Sequence, residues 1–186
     1  MALNIYLLKV AILSTIVLSV YYPLAFSLFA RSNVNKLDAT PLMRLKLAVE
    51  CAVPPIVMLL LGVYAVALER AAGSGRNPLA VPYASTRMAV NLRYLSNTQE
   101  ELVLHLVAAA ALSQQLPSDW LALLPANALL FVVARALFWF GFHVESEWHR
   151  WRAPGFALTI IPNSLALLFA AAQAVLHLCP WDQCCT

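Results

Sequence analysis

The sequence predicts an all-α integral membrane protein, in which a four-helix bundle follows one extra N-terminal transmembrane helix. Hydrophobic residues make up 62% of the 186 residues and charged residues only 11%, whereas a soluble domain carries about a quarter charged residues. The mean hydropathy is +0.74. Five apolar stretches approach the roughly 20 residues that cross a hydrocarbon core of about 30 Å. The net charge of +3 is small and dispersed, so we expect membrane lipid and no nucleic acid among the partners.

The five predicted spans cover approximately residues 10–30, 47–68, 89–116, 120–142 and 155–178. The first is too long for a cleaved signal peptide and lacks a small-residue cleavage site, so we interpret it as a signal anchor. The third is the weakest by hydropathy because its first half is polar. We retain it because Gln114, Gln115, Pro117 and Asp119 form a turn into the fourth span, and a short turn between two apolar segments indicates an antiparallel helical hairpin.

Three parts follow from these spans: an N-terminal helix and loop at 1–41, a four-helix membrane domain at 42–178, and a Cys-rich tail at 179–186. Five spans place the two termini on opposite sides of the membrane. One side would carry Lys9, Arg70, Arg76, Arg87, Arg150 and Arg152, and the other Arg31, Lys36, Arg44 and Lys46. Because loops rich in Lys and Arg stay in the cytoplasm, we expect a cytoplasmic N-terminus.

The tail has two interpretations, which depend on this orientation. In the lumen or outside the cell, Cys179 could form a disulfide with Cys184 or Cys185, or these cysteines could link subunits. On the cytosolic side the same residues would suit palmitoylation. The charge bias favours the first interpretation.

The third span begins with a strongly polar segment that runs directly into the apolar residues 102–112. Arg93, Asn97 and Glu100 fall within a narrow arc of an α-helix, so a cation, an amide and a carboxylate share one face. Lipid penalises such groups unless a partner or water meets them. We therefore predict that neighbouring helices shelter this face at subunit seams, and that it is the functional surface.

A second intramembrane charge, Arg135, lies in the middle of the fourth span. Its guanidinium stays charged, so it needs a partner, and Glu100 on the preceding hairpin arm is the best candidate. The pair could be a buried clamp that fixes helix register, or it could contact a ligand. The two roles are compatible, because a clamp can line a pocket.

Glu50 precedes the pair Pro54-Pro55 inside the second span. Prolines inside a span leave backbone carbonyls without a hydrogen-bond donor, which favours a structural kink. Neighbouring helices must then supply donors for those carbonyls. Glu50 itself could pair with Arg93 or Arg135, or lie at the interface without a specific partner.

Three further features have a structural and a functional interpretation. His105 is typical of an interhelical hydrogen-bonding group, and catalysis is the less favoured alternative. His143 and His149 belong to a solvated interfacial loop or, with weak ligand spacing, to a metal site. The alanines at 108–111 permit close helix approach, as in a central helix or an oligomer interface, or they simply fill space.

Together these motifs resemble the MAPEG superfamily, the membrane-associated proteins of eicosanoid and glutathione metabolism. The resemblance covers about residues 42–178. It rests on Arg93…Asn97-Thr98-Gln99-Glu100, on the intramembrane Arg135, and on the basic, Pro/Gly-aromatic segment 150–156. The extra first span and the segments 51–54, 116–119 and 155–162 are closer still to the five-span, mattrin-type MAPEG-like proteins.

The resemblance implies a homotrimer with glutathione held between subunits near the cytosolic face. The matching ligand-binding residues are Arg93, Asn97, Glu100 and the intramembrane Arg135, and Arg152 would act catalytically by stabilising a thiolate. The chain departs from catalytic relatives at three positions. Phe142 and Phe156 stand where tyrosines are often found, and Ser96 stands where a second arginine often precedes the asparagine.

Two functional hypotheses follow. The first is a glutathione-dependent transferase or peroxidase acting on lipophilic electrophiles or lipid peroxides. The second is a non-catalytic scaffold that contacts membrane-protein partners in vesicle traffic or barrier-lipid homeostasis. Under either hypothesis we expect the protein in the endoplasmic reticulum or another secretory or lysosomal membrane. A transporter or channel fits less well, because charged residues collect near one membrane face instead of following a path through several spans.

Overall fold

The computed structural model describes residues 2–31, 40–73, 87–143 and 152–178, and these form five α-helices joined in part by tight turns. The helices are α1 (Ala2–Ala30), α2 (Pro41–Ala71), α3 (Arg87–Gln115), α4 (Leu123–His143) and α5 (Arg152–Leu178), with a short 3₁₀ helix at Ser118–Trp120. No β-strand occurs in these ranges. The predicted all-α bundle with an additional N-terminal helix is therefore confirmed.

Helix α2 begins six residues before the predicted span because its start is capped. Thr40 has extended backbone, and its side chain accepts a hydrogen bond from the Met43 amide at 3.4 Å. Pro41 occupies the first turn, where the missing N–H leaves no bond unmade. The capping hydrogen bond, and not the hydropathy of the segment, therefore determines where α2 begins.

Four of the described helical segments are long and apolar enough to cross a membrane: Leu8–Ala30, Pro41–Ala71, Ser118–His143 and Arg152–Leu176. Helix α3 is not among them, because its first half is polar. Its 29 residues nevertheless correspond to a length of about 43 Å, enough to cross the bilayer with its headgroups.

Helix α3 contacts α2, α4 and α5, whereas α4 contacts all four other helices and has the more central position. Ala108 and Ala109 lie in the main hydrophobic core, as expected of small side chains where helices approach closely. The buried members of that core are Leu47, Ala108, Ala109, Leu112, Leu121, Leu124 and Ala166. Packing against neighbouring helices, and not the hydropathy of α3 itself, therefore stabilises α3 in the bundle.

Helix α1 packs on the outside of α4 and α5 through a pair of tyrosines. The Tyr21 hydroxyl donates to the Ala126 carbonyl at 2.7 Å, and the Tyr22 hydroxyl donates to Asn127 Oδ1. Below them a second hydrophobic core contains Leu18, Leu130, Ala134 and Leu158. Helix α1 is thus an integral part of the bundle.

The predicted hairpin between α3 and α4 is present, and Arg44 of α2 braces it. The Arg44 Nη1 donates to the Leu116 carbonyl at 2.5 Å and lies 3.4 Å from the Ser113 carbonyl, while Nη2 donates to Ser118 Oγ at 3.0 Å. The guanidinium therefore supplies donors for carbonyls that the end of α3 leaves open, where the helix dipole also favours a cation. From the sequence, Arg44 counted only as a loop charge.

Glu50 pairs neither with Arg93 nor with Arg135. It is exposed on α2, with its carboxylate 3.8 Å from Lys46 Nζ one turn earlier. An exposed ion pair of this spacing contributes little to stability. Helix α2 continues through Pro54 and Pro55 without interruption.

Candidate functional site

The centre of the site is Arg135, whose side chain on α4 has no exposed surface. Its Nη1 donates to Asn97 Oδ1 at 2.8 Å, and its Nη2 donates to Thr159 Oγ1 and lies 3.5 Å from the Gly155 carbonyl. The guanidinium carbon lies 4.5 Å from the centre of the Phe138 ring, within range of a cation–π interaction. Arg135 therefore links α3, α4 and α5 at one level of the bundle.

This linkage depends on Gly155, where α5 approaches the backbone of α4. A Cβ atom at position 155 would lie 2.7 Å from the Phe138 amide nitrogen and 2.8 Å from the Ala134 carbonyl oxygen. Only glycine fits this contact. The close approach brings the Gly155 carbonyl and the Thr159 hydroxyl, one turn later, within reach of Arg135.

The predicted pairing of Arg135 with Glu100 is wrong. Glu100 is exposed on the outer part of α3, where it accepts a hydrogen bond from Ser96 Oγ at 3.4 Å. The next residue, Glu101, is the one that turns inward, with only 3% of its surface exposed. Because each helical residue turns by about 100°, a one-residue step decides which carboxylate enters the bundle.

Glu101 belongs to a buried chain of polar groups between α3 and α5. The Asn163 amide nitrogen lies 3.5 Å from both Glu101 Oε2 and the Glu101 carbonyl, and Asn163 Oδ1 is 3.2 Å from His105 Nδ1. The His105 ring also packs on Phe131, with centres 4.8 Å apart. The favoured interpretation of His105 as an interhelical hydrogen-bonding group is confirmed.

Sequence reasoning missed Asn163 and Thr159, although a signal was present. The two residues stand four apart on an otherwise apolar helix, so they share a face. A polar pair with this spacing, inside a span and beside Pro162, indicates hydrogen bonds to a neighbouring helix.

The predicted common face of Arg93, Asn97 and Glu100 is divided in the structure. Arg93 and Glu100 are exposed and point away from the chain, whereas Asn97 is half-buried and turned toward Arg135. On a helical projection Asn97 lies about 60° from Glu100, in the inward direction. Within a single chain this face is therefore not sheltered by neighbouring helices. For one copy of the chain, the prediction of a sheltered face is wrong.

The exposed polar side chains form what we call the outer strip of α3: Arg93, Ser96, Gln99 and Glu100. Ser96, Gln99 and Glu100 of the strip line an open groove of about 510 Å³, which the apolar side chains of Val103 and Leu104 also line. A charged strip beside an apolar wall can receive an amphiphilic ligand or a partner helix.

Arg152 lies at the first residue of α5 and is exposed. Its guanidinium carbon is 5.2 Å from the centre of the Phe142 ring. Phe142 packs edge-to-face on Phe138 at 4.8 Å, the same ring that Arg135 contacts from the other side of the bundle interior. Aromatic rings thus connect the surface cation to the buried one.

The end of α3 that carries Arg93 and the start of α5 that carries Arg152 lie at the same end of the bundle. The two helices run parallel, because His105 meets Asn163 and, further along, Gln115 donates to the Ala170 carbonyl at 3.3 Å. Two of the residues that the family resemblance assigned to the site, Arg93 and Arg152, therefore lie toward the same end of the bundle, and Glu100 lies further along α3 toward its middle.

Several sequence predictions lie outside the described residues: those for His149 and Arg150, for the rest of the loop between α4 and α5, and for the cysteine tail at 179–186. His143, which is described, stacks on Trp139 with ring centres 4.2 Å apart, and its Nδ1 is 3.0 Å from the Trp139 carbonyl. In the described ranges no three His, Cys, Asp or Glu side chains are grouped to hold a metal ion.

Comparison with known proteins gives a family match and two relatives. The model of the MAPEG family matches residues 47–174, which begin after α1. Transmembrane protein 79 of Mus musculus is 28% identical over 119 residues, or 64% of this chain and 29% of that protein. Transmembrane protein 79 of Bos taurus is 27% identical over 126 residues, or 68% of this chain and 31% of that protein. The chain thus spans about three tenths of the length of these relatives, and no solved structure matches it. Because Transmembrane protein 79 is mattrin, the predicted mattrin-type resemblance is confirmed.

Proposed function

From the premise that this chain belongs to the MAPEG family and is an integral membrane protein, we propose that it binds glutathione at seams between copies of itself. The assembly would be a homotrimer, as in the family it resembles. Its substrates would be lipophilic electrophiles or lipid peroxides that enter from the bilayer. The protein would lie in the endoplasmic reticulum or another membrane of the secretory pathway.

The observation that carries this proposal is the depth of the outer strip. Glu100 is 13 residues after Arg87, the start of α3, which places it about 20 Å along a helix of about 43 Å. Its carboxylate is thus exposed near the middle of a membrane helix, where contact with acyl chains costs several kcal/mol. A neighbouring copy, with a charged ligand between the two, would remove that contact.

The strip's functional groups match those of glutathione. Glutathione carries two carboxylates, an ammonium group and a thiol. Arg93 can bind a carboxylate, Glu100 can bind the ammonium group, and Asn97 can donate to an acceptor beside them. Arg152, exposed at the same end of the bundle, would lie near the thiol and favour the thiolate, the form that attacks electrophiles.

The charge distribution supports a cytoplasmic position for this end of the protein. Arg87, Arg93 and Arg152 lie near the starts of α3 and α5, and Arg70 lies at the end of α2, which is at the same end. Because Lys and Arg accumulate on the cytoplasmic side, the N-terminus would be cytoplasmic too.

Thermal unfolding of the full-length protein in detergent tests the proposal. Millimolar glutathione should raise the melting temperature, since a ligand at 100 times its Kd stabilises the folded state by about 2.7 kcal/mol. The rise should be much smaller in Arg93→Gln, and unchanged in Arg70→Gln, which removes an exposed cation of α2. Turnover of a generic electrophile should follow the same order. A wild-type protein that millimolar glutathione does not stabilise would end the proposal.

A non-catalytic scaffold is the second candidate, and the aromatic cluster favours it. Phe142 and Phe156 both pack on Phe138, at 4.8 and 6.4 Å between ring centres. At these two positions a phenylalanine ring therefore stands where a tyrosine hydroxyl could bind a ligand or its thiol. At position 96, serine lacks the positive charge that an arginine would supply. In this case the outer strip would bind a membrane-protein partner. Glutathione would then neither stabilise the protein nor support turnover, while Arg93→Gln would weaken partner binding.

A further inference from the structure

The contact between Arg135 and Asn97 determines which end of the Asn97 amide faces inward. A guanidinium has five N–H donors and no acceptor. Arg135 Nη1, at 2.8 Å from the Asn97 side chain, can therefore bond only to the amide oxygen. The amide NH₂ must point away from Arg135.

Rotation of the amide is prevented by the same contact. A flip of 180° would bring the NH₂ group against the guanidinium, donor against donor, and would leave Arg135 Nη1 without its acceptor. The guanidinium cannot move away, because Thr159, the Gly155 carbonyl and the Phe138 ring hold its other side. A hydrogen bond from a charged donor is about twice as strong as a neutral one, which adds to this restraint.

The NH₂ group of Asn97 has an open direction. Asn97 is half-buried and lies between the buried Arg135 and the exposed Arg93 and Glu100. Within the described ranges, no protein acceptor is bonded to its amide nitrogen. The group is therefore a donor at the inner edge of the outer strip.

We infer that Arg135 is a positioning residue, which holds the Asn97 amide so that its NH₂ group is presented to a carboxylate or carbonyl of the ligand at the outer strip. Arg135 itself has no exposed surface and acts through Asn97 without touching the ligand. This inference rests on the proposed function, because it concerns the same site. It gives the buried arginine a task that differs from the direct ligand contact expected from the sequence.

Asn97→Asp separates this role from a purely structural one. The aspartate keeps an oxygen for Arg135 and adds a charge to that contact, but it has no NH₂ donor and repels an anionic ligand. We expect the ligand-free melting temperature to equal or exceed that of wild type, while the affinity for glutathione falls about tenfold or more. If Asn97 served only to satisfy Arg135, the affinity would stay within about twofold of wild type, and the inference would be wrong.

Gln99→Glu is the matched control, because it makes the same chemical change on the exposed part of the strip. It should lower glutathione affinity much less than Asn97→Asp does. An equal loss in both variants would show a general effect of negative charge and would overturn the inference.

The ligand-free measurement keeps this test distinct from that of the proposed function. If wild-type protein does not respond to glutathione, the proposed function fails, and the orientation of Asn97 is judged from stability alone. An inward oxygen predicts that Asn97→Asp melts at or above wild type and Asn97→Leu melts below it. An aspartate variant that melts well below wild type would contradict the orientation itself.

Discussion

At the scale of single residues, the unusual feature is a buried arginine with neutral partners. The oxygen atoms around Arg135 belong to an amide, a hydroxyl and a backbone carbonyl, and its Nε has no hydrogen-bond partner among the described residues. Buried charges normally have an opposite charge in contact. Here the hydrogen bonds come from neutral dipoles and the Phe138 ring adds a cation–π contact, while the buried Glu101 supplies the opposite charge through space and not through a hydrogen bond.

Thr159→Val should therefore destabilise the protein. Valine has nearly the shape of threonine, so the variant removes the hydroxyl acceptor of a buried guanidinium without opening a cavity. We expect a loss of about 1–3 kcal/mol in the free energy of unfolding, measured by denaturation in detergent. Thr15→Val is the control, since the Thr15 hydroxyl donates only to the Ala11 carbonyl of its own helix, at 2.9 Å. Equal stability of the two variants would refute the importance of the Thr159 hydrogen bond.

The residue scale also shows where sequence reasoning stops. It was predictable that the intramembrane arginine and the polar segment of α3 would need polar partners, because both are costly in lipid. Which side of α3 faces inward was not, because Thr98, Glu101 and His105 on the buried side are as polar as Ser96 and Glu100 on the exposed side. Hydrophobic periodicity, the usual guide to a buried face, carries no signal in that segment.

At the scale of helices, the site depends on how closely α5 approaches α4. The five helices and the hairpin could be predicted from hydropathy and turn residues, although α1 and α2 begin eight and six residues before the predicted spans. The close approach could not, because a glycine near a helix start also suits a flexible turn. The structure shows that Gly155 instead meets the backbone at Ala134 and Phe138.

Gly155→Ala should separate the two helices and weaken the Arg135 contacts together with them. The new Cβ would lie 2.7 Å from the Phe138 amide nitrogen, and backbone cannot yield as a side chain can. Overpacking of this kind costs about 1–3 kcal/mol, which thermal or chemical unfolding can measure. At Gly62 the nearest atoms to a Cβ belong to side chains, the Tyr94 ring at 3.0 Å and Leu95 Cδ1 at 3.4 Å. Gly62→Ala should therefore have the smaller effect, and the reverse order would contradict this account of the contact.

At the scale of the whole molecule, the outer surfaces of the bundle differ in character. Helix α1 covers the outside of α4 and α5, and the outer residues of α2 are large and apolar, as expected of a surface in contact with lipid. In contrast to these surfaces, the outer strip of α3 presents a run of exposed polar side chains within two turns of one helix. A second copy can reach it without displacing α1, so under the proposed function the seam between copies lies at this surface.

The most direct test compares the lipid exposure of two valines in a bilayer. Val103 lies in the groove beside the outer strip and Val53 lies on the outside of α2, and in one chain they are almost equally exposed, at 56% and 55%. Each can be replaced by a spin-labelled cysteine after the native cysteines are changed to serine. We expect the label at 103 to be shielded from oxygen dissolved in the lipid, and its spectrum to be broadened by labels on neighbouring copies. The label at 53 should be freely accessible to oxygen, and its spectrum should not be broadened. Equal oxygen accessibility at both positions would place the outer strip against lipid and contradict the central claim.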